Sequence, residues 1–141
     1  NGAFIEGWGL YSEHLLARHG YFQNPRERFA QLKMRLWRAA RAVIDVGLHC
    51  SVLSRDEAVR LLVDGVGLEP LCAALEVSKQ QERPLYYSGY LVGFQEIDAL
   101  HEACRAAWGE GYSERRFHDE LLWFGHIPFS VIRRVMLDPQ D

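Results

Sequence analysis

Two glutamates near the amino-terminal end of the chain have the type and spacing for metal or acid–base chemistry. Glu6 and Glu13 lie seven residues apart, so on an α-helix they share a face, roughly 10 Å apart along the axis. Gly7 and Gly9 flank the first carboxylate, and each glycine costs a helix about 1 kcal/mol. Close packing of another backbone against Glu6 would justify them. The alternative is a solvated carboxylate near a helix amino terminus, and spacing alone favours it.

A stripe of polar residues follows the long segment 26–49. Arg38, Arg41, Asp45 and His49 are separated by three, four and four residues, which places them on one side of a helix. This pattern is typical of the solvated face of an amphipathic helix, which is the interpretation that the residues alone favour. It also suits a buried Arg–Asp–His network that lines a cleft and orients a metal ligand or a substrate carboxylate.

Three tyrosines and a histidine are weaker candidates. A phenol from Tyr86, Tyr87 or Tyr90 could donate to an oxyanion, although tyrosines at the start of a helix are often packing residues. His118 has no second candidate residue at a suitable spacing, and a lone histidine is more often structural than catalytic. The sequence contains no HExxH, no glycine-rich phosphate loop and no GxSxG. On their own, the residues therefore form no complete catalytic constellation.

The elements that position these residues are all predicted to be helices, because apolar residues recur with a helical period along the chain. Cap and breaker residues divide the 141 residues into about six helices without a sheet. The longest are predicted from about Arg26 to His49 and from Tyr86 to Trp108. The sides predicted to face the core are Phe4, Trp8, Tyr11 and Leu15 in the first helix, and Phe29, Leu32, Leu36, Ala40 and Val43 in the second.

Composition excludes several classes of protein. The sequence has 16 Lys and Arg residues and 19 Asp and Glu residues, so its net charge is −3. This charge gives no positive electrostatic field to attract a nucleic-acid backbone. No apolar run approaches the roughly 20 residues that span a bilayer. Three cysteines without CxxC spacing indicate neither a disulfide framework nor a cysteine-based zinc site. No linker divides residues 1–141, and an opening without methionine suggests a segment of a longer protein.

Four segments, in order, resemble a large bacterial family, domain of unknown function 885. Residues 4–13, FIEGWGLYSE, resemble its F-x-E-G-W-A-L-Y-x-E, with Gly9 in place of the alanine. Residues 36–49, LWRAARAVIDVGLH, resemble its L-x-R-A-x-R-L-V-x-D-x-G-L-H. Less specific matches are GYLVG at 89–93, and FHD at 117–119 with GHIP at 125–128.

The family is similar to gluzincin metallopeptidases, and this resemblance implies an all-α, C-terminal part of such a fold. It implies Glu6 as the third zinc ligand and Tyr90 as an oxyanion donor. Arg38, Arg41, Asp45, His49 and His118 would support metal ligands or contact substrate. Zinc binding would also need an HExxH segment upstream, which this chain does not contain.

The sequence therefore predicts the C-terminal segment of a zinc-dependent hydrolase acting on peptide or amide bonds. The isolated chain is expected to be inactive and to pack on an upstream region or another chain, with apolar exposure around Leu10. The alternative is a non-catalytic helical interaction module that docks to another chain.

Overall fold

The computed structural model describes residues 2–138, and this part of the chain contains helices and no strand. The prediction of an all-α fold is confirmed. The described residues form seven α-helices where about six were predicted, the last of them a short one after Pro128. The helices are α1 (Gly2–Arg18), α2 (Pro25–His49), α3 (Arg55–Arg60), α4 (Pro70–Glu82), α5 (Gly89–Trp108), α6 (Glu114–Trp123) and α7 (Phe129–Leu137).

Side-chain caps fix several helix starts. The Asn24 side chain accepts from the backbone of Arg26 and Glu27 at the start of α2. Ser54 and Glu57 form a capping box at the start of α3. A single π-helical turn, Leu61–Gly65, continues α3. α5 begins at Gly89 and not at Tyr86, so the predicted start was three residues too early.

Two apolar clusters hold the helices together. One joins α1, α5, α6 and α7, and the other joins α2, α3, the π-helical turn and α4. The members of the first are Phe4, Tyr11, Ile97, Leu100, Cys104, Phe117, Leu121, Ile132 and Met136. The members of the second are Ala40, Ile44, Ala58, Leu62, Val66, Ala73 and Val77.

A glycine-to-glycine contact sets the distance between α1 and α5. A Cβ atom added to Gly7 would lie 2.7 Å from the backbone nitrogen of Phe94 and closer still to the carbonyl carbon of Gly93. Around Gly9 there is no atom within 4 Å of such a Cβ. The expectation that a backbone packs beside Glu6 is therefore correct for Gly7 and wrong for Gly9.

Two predictions about apolar surfaces are wrong. Leu10 is buried and does not carry an exposed patch. On α2, Phe29, Leu32, Leu36 and Val43 were predicted to face the core and are exposed instead, whereas Ala40 is buried as predicted. The opposite side of α2 points inward, because the polar stripe finds its partners inside the molecule. No helix within residues 2–138 is both long and apolar enough to cross a membrane.

Candidate functional site

The Glu6 carboxylate lies where α1 meets the turn before α5. The Tyr86 hydroxyl donates to Glu6 Oε1 at 2.9 Å. Burial, followed by interaction with the Glu6 carboxylate, raises the pKa of Tyr90 above its usual range. Both phenols therefore stand beside one partly exposed carboxylate, and Tyr90 keeps its proton at neutral pH.

Arg41 packs against the rings of two of the neighbouring tyrosines, Tyr87 and Tyr90. Its Nε donates to Glu76 Oε1 at 2.5 Å, which joins α2 to α4. Its guanidinium carbon lies 5.2 Å from the Tyr87 ring centre and 5.5 Å from that of Tyr90. A guanidinium at this distance is attracted to an aromatic face. Arg41 thus ties the start of α5 to both α2 and α4.

Asp45 organises the turn that carries Tyr86. Its buried carboxylate accepts the Leu85 N–H at Oδ1 and the Ser88 N–H at Oδ2, both at 2.9 Å. Leu85 has a φ of +63°, a left-handed conformation that is costly for a residue with a branched side chain. The two charge-assisted hydrogen bonds hold the turn in this strained shape and so fix Tyr86 against Glu6.

His49 completes the carboxyl-terminal end of the stripe. Its Nδ1 lies 2.7 Å from the Asp45 backbone oxygen and 3.1 Å from Asp45 Oδ1. The hydrogen bond to that backbone oxygen is the largest of the effects that raise the pKa of His49. Both Asp45 oxygens are engaged within this chain. The partners of the Asp45 oxygens are two backbone amides and His49. The resemblance implies that Asp45 supports a metal-bound histidine, and this role stays a prediction.

Arg38 joins α2 to α1. Its Nη2 donates to Glu13 Oε1 at 2.8 Å. Its Nε and Nη1 are buried and have no hydrogen-bond partner among the described residues. Arg38, Arg41 and Asp45 are therefore largely buried, and the solvated-face interpretation of the stripe is wrong. The stripe forms separate pairs and not one Arg–Asp–His network, because Arg38 pairs with Glu13, Arg41 with Glu76 and Asp45 with His49. Asp45 has no exposed surface, so it lines no cleft.

His118 belongs to a different group of residues. The Tyr11 hydroxyl lies 3.1 Å from its Nε2, and the Trp8 ring packs edge-on at 5.6 Å. Burial lowers the pKa of His118 from its usual value, so the ring is neutral at pH 7. The role in contacting substrate that the resemblance implies for His118 stays a prediction.

No group of three metal-ligating side chains comes together within residues 2–138. In this part of the chain Glu6 could supply a metal with one carboxylate ligand, and the Tyr86 hydroxyl orients that carboxylate. Any further ligands would have to come from polypeptide outside it.

Sequence reasoning missed three parts of the site. It selected Tyr90 and did not foresee that the Tyr86 hydroxyl donates to Glu6. It gave no role to Glu76, an isolated acid without a periodic partner. It also missed the strained conformation of Leu85, because leucine carries no signal for a positive φ.

Two solved structures have the same helical arrangement. A candidate lipoprotein from Colwellia psychrerythraea matches with 30% identity and a TM-score of 0.92, over 99% of this chain and 24% of that one. A candidate lipoprotein of unknown function from Shewanella oneidensis matches with 24% identity and a TM-score of 0.91, over 98% of this chain and 26% of that one. The chain thus spans about a quarter of the length of these solved relatives.

No curated protein matches the sequence. Residues 1–136 match the model of a family described as bacterial proteins of unknown function, DUF885. This match covers nearly the whole chain and agrees with the four motifs and the helical fold. The chain belongs to the DUF885 family.

Proposed function

We propose that this chain forms part of the active site of a zinc-dependent hydrolase that acts on peptide or amide bonds, with Glu6 as one metal ligand. The observation that carries the proposal is the setting of Glu6. Its carboxylate is partly exposed, stands on a helix locked by the Gly7–Gly93 contact, and accepts a phenol hydrogen bond. A rigid support and an oriented carboxylate are what a ligand position requires.

The remaining ligands and the general base belong, in this proposal, to the HExxH segment that the family resemblance implies upstream. Bound zinc would polarise the scissile carbonyl and make water acidic enough to attack it. Within this chain, Tyr86 orients Glu6 through its hydroxyl. Asp45 holds the turn that carries Tyr86, and Arg41 stacks beneath Tyr90.

Tyr90 is the candidate oxyanion donor. A tyrosine hydroxyl is protonated at the pH at which a hydrolase works, and burial raises the pKa of Tyr90 further. A protonated phenol beside the ligand carboxylate can donate a hydrogen bond to the negative charge that develops on the substrate oxygen. Loss of one such donor typically lowers kcat by about 10²–10³-fold.

The test is a chimera in which this chain replaces the matched quarter of the Colwellia psychrerythraea relative. We expect this chimera to hydrolyse a peptide substrate, whereas the 141-residue chain alone has no peptidase activity and no stoichiometric zinc. In the chimera, Tyr90→Phe should lower kcat about 10²-fold with zinc content unchanged. Tyr21→Phe, at an exposed tyrosine in the loop after α1, is the matched control.

The competing function is a non-catalytic helical module, and the exposed apolar side of α2 is the observation that favours it. That function predicts a folded chimera without zinc or hydrolysis. Zinc and activity that survive Glu6→Ala would instead place the chemistry at other residues.

A further inference from the structure

We infer that the outer side of α2 binds one long amphipathic helix supplied by the part of the family fold that lies outside this chain. We call this surface the α2 seam. It follows a heptad pattern in which apolar or small residues alternate at spacings of three and four. Its members are Phe29, Leu32, Leu36, Ala39, Val43, Val46 and Cys50. Such a pattern keeps one straight stripe facing a single partner helix.

The large members of the seam are exposed. The exposed fractions are 69% for Phe29, 47% for Leu32, 50% for Leu36, 58% for Val43 and 50% for Val46. A contiguous apolar stripe of this length on a folded protein marks an interaction surface. The seam cannot turn inward, because the opposite side of α2 is committed to the Arg38, Arg41 and Asp45 contacts.

The shape of the α2 seam is suited to binding a helix. Ala39 and Ala42 lie along it, and small residues let a second helix approach closely. A depression of about 470 Å³ lies between Val46 and Val52, at its carboxyl-terminal end. Another of about 480 Å³ lies between Phe29 and Gly67, at its amino-terminal end. These depressions can receive side chains from both ends of a helix as long as the 25-residue α2.

Charge argues against a second copy of this chain as the occupant. The charged or titratable residues that flank the seam at heptad positions e and g are Arg28, Lys33, Arg35 and His49. None of these is acidic, so two α2 seams would form no flanking ion pair in either orientation. A partner helix with acidic flanks is complementary to them.

The solved relatives indicate where such a helix comes from. In the Colwellia psychrerythraea protein this arrangement of helices, at a TM-score of 0.92, accounts for 24% of the chain. About three-quarters of that polypeptide therefore lies outside the matched helices and is available to cover the seam. The inference concerns packing and does not depend on the proposed chemistry.

Thiol labelling tests the inference. Leu36→Cys places a thiol on the seam, and Leu122→Cys, on α6, is a control of similar exposure at 46%. Cys50 and Cys72 are replaced by serine in both variants. In the 141-residue chain we expect both thiols to react at similar rates. In the chimera, Leu36→Cys should react at least tenfold more slowly than Leu122→Cys. Equal rates in a folded chimera would overturn the inference.

A second copy would give a different result. Leu36→Cys in the 141-residue chain would become protected as concentration rises, together with a doubled mass in sedimentation. That outcome also overturns the inference.

A peptide assay decides the matter even where the chimera does not fold. The probe is a 25-residue synthetic helix with leucine at heptad positions a and d and glutamate at e and g, matched in length to α2. We expect it to bind the chain, to lose at least tenfold in affinity with Leu36→Asp, and to be unaffected by Leu122→Asp. A version with lysine at e and g should bind more weakly. Absence of binding by the acidic helix would contradict the inference.

Discussion

Replacement of Gly7 by alanine tests how α1 is held at the distance that brings Glu6 to Tyr86. The added Cβ would lie 2.7 Å from the Phe94 backbone nitrogen and nearer still to Gly93. Ordinary contacts of this kind are longer than about 3.4 Å, and the opposing atoms are backbone, so they cannot rotate away. α1 and α5 would therefore have to separate by several tenths of an ångström or more.

The expected loss of stability follows from two opposing terms. Overpacking in a close contact costs about 1–3 kcal/mol, occasionally more, and rigid backbone places this site at the upper end. Alanine in place of glycine returns about 1 kcal/mol of helix propensity. The net expectation is a loss of about 2 kcal/mol or more. Gly9→Ala, where no atom lies within 4 Å of the new Cβ, should instead gain about 0.5–1 kcal/mol.

Urea unfolding of the two variants and the parent chain, followed by circular dichroism, measures this difference. Gly7→Ala should fall below the parent and Gly9→Ala should rise above it, a separation of about 3 kcal/mol. Two variants with the same midpoint, or a Gly7→Ala variant as stable as Gly9→Ala, would refute the close contact between α1 and α5.

Three further perturbations probe the turn before α5 and the histidine on α6. Asp45→Asn should cost about 2–3 kcal/mol in urea unfolding, because one buried backbone N–H loses its acceptor, whereas exposed Asp64→Asn should change stability by less than about 0.5 kcal/mol. Equal effects would contradict the Asp45 assignment. Leu85→Gly should stabilise the chain by up to about 1 kcal/mol by relieving its positive φ, since the side chain is exposed, and a loss would contradict this. Burial lowers the pKa of His118, so the unfolded state binds more protons and stability falls as pH drops below the usual value of 6.5. His118→Gln should reduce this fall between about pH 7 and pH 5, and an unchanged slope would contradict it.

Helix positions could be predicted from the sequence because their signals are local. Asn24 and Ser54 cap the helices that follow them, and the capping box at Ser54 forms as its spacing requires. The start of α5 could not be predicted, because it depends on Asp45, forty or more residues away, holding the turn at Leu85 and Ser88.

The orientation of α2 shows the main limit of periodicity. Apolar periodicity identifies a face that must be covered, but not what covers it. The polar face points inward because Arg38, Arg41 and Asp45 each bond to a partner on another element, namely Glu13, Glu76 and the turn amides.

The candidate site could be predicted only in part. Glu6 was selected through the family resemblance, against the interpretation that its spacing alone favours. Tyr86 could not be distinguished from its neighbouring tyrosines, since the choice depends on the strained turn at Leu85.

Zinc content of the chimera tests the central claim that Glu6 is a metal ligand. The parent chimera, Glu6→Gln and Glu13→Gln would each be dialysed against a series of zinc buffers and their bound metal measured. Glu13 is the matched control, because it lies on the same helix and pairs with Arg38. Our expectation is one zinc per parent chimera, affinity lowered at least about tenfold in Glu6→Gln, and affinity close to the parent in Glu13→Gln. A folded parent chimera without zinc, or a Glu6→Gln variant that binds zinc as tightly as the parent, would contradict it.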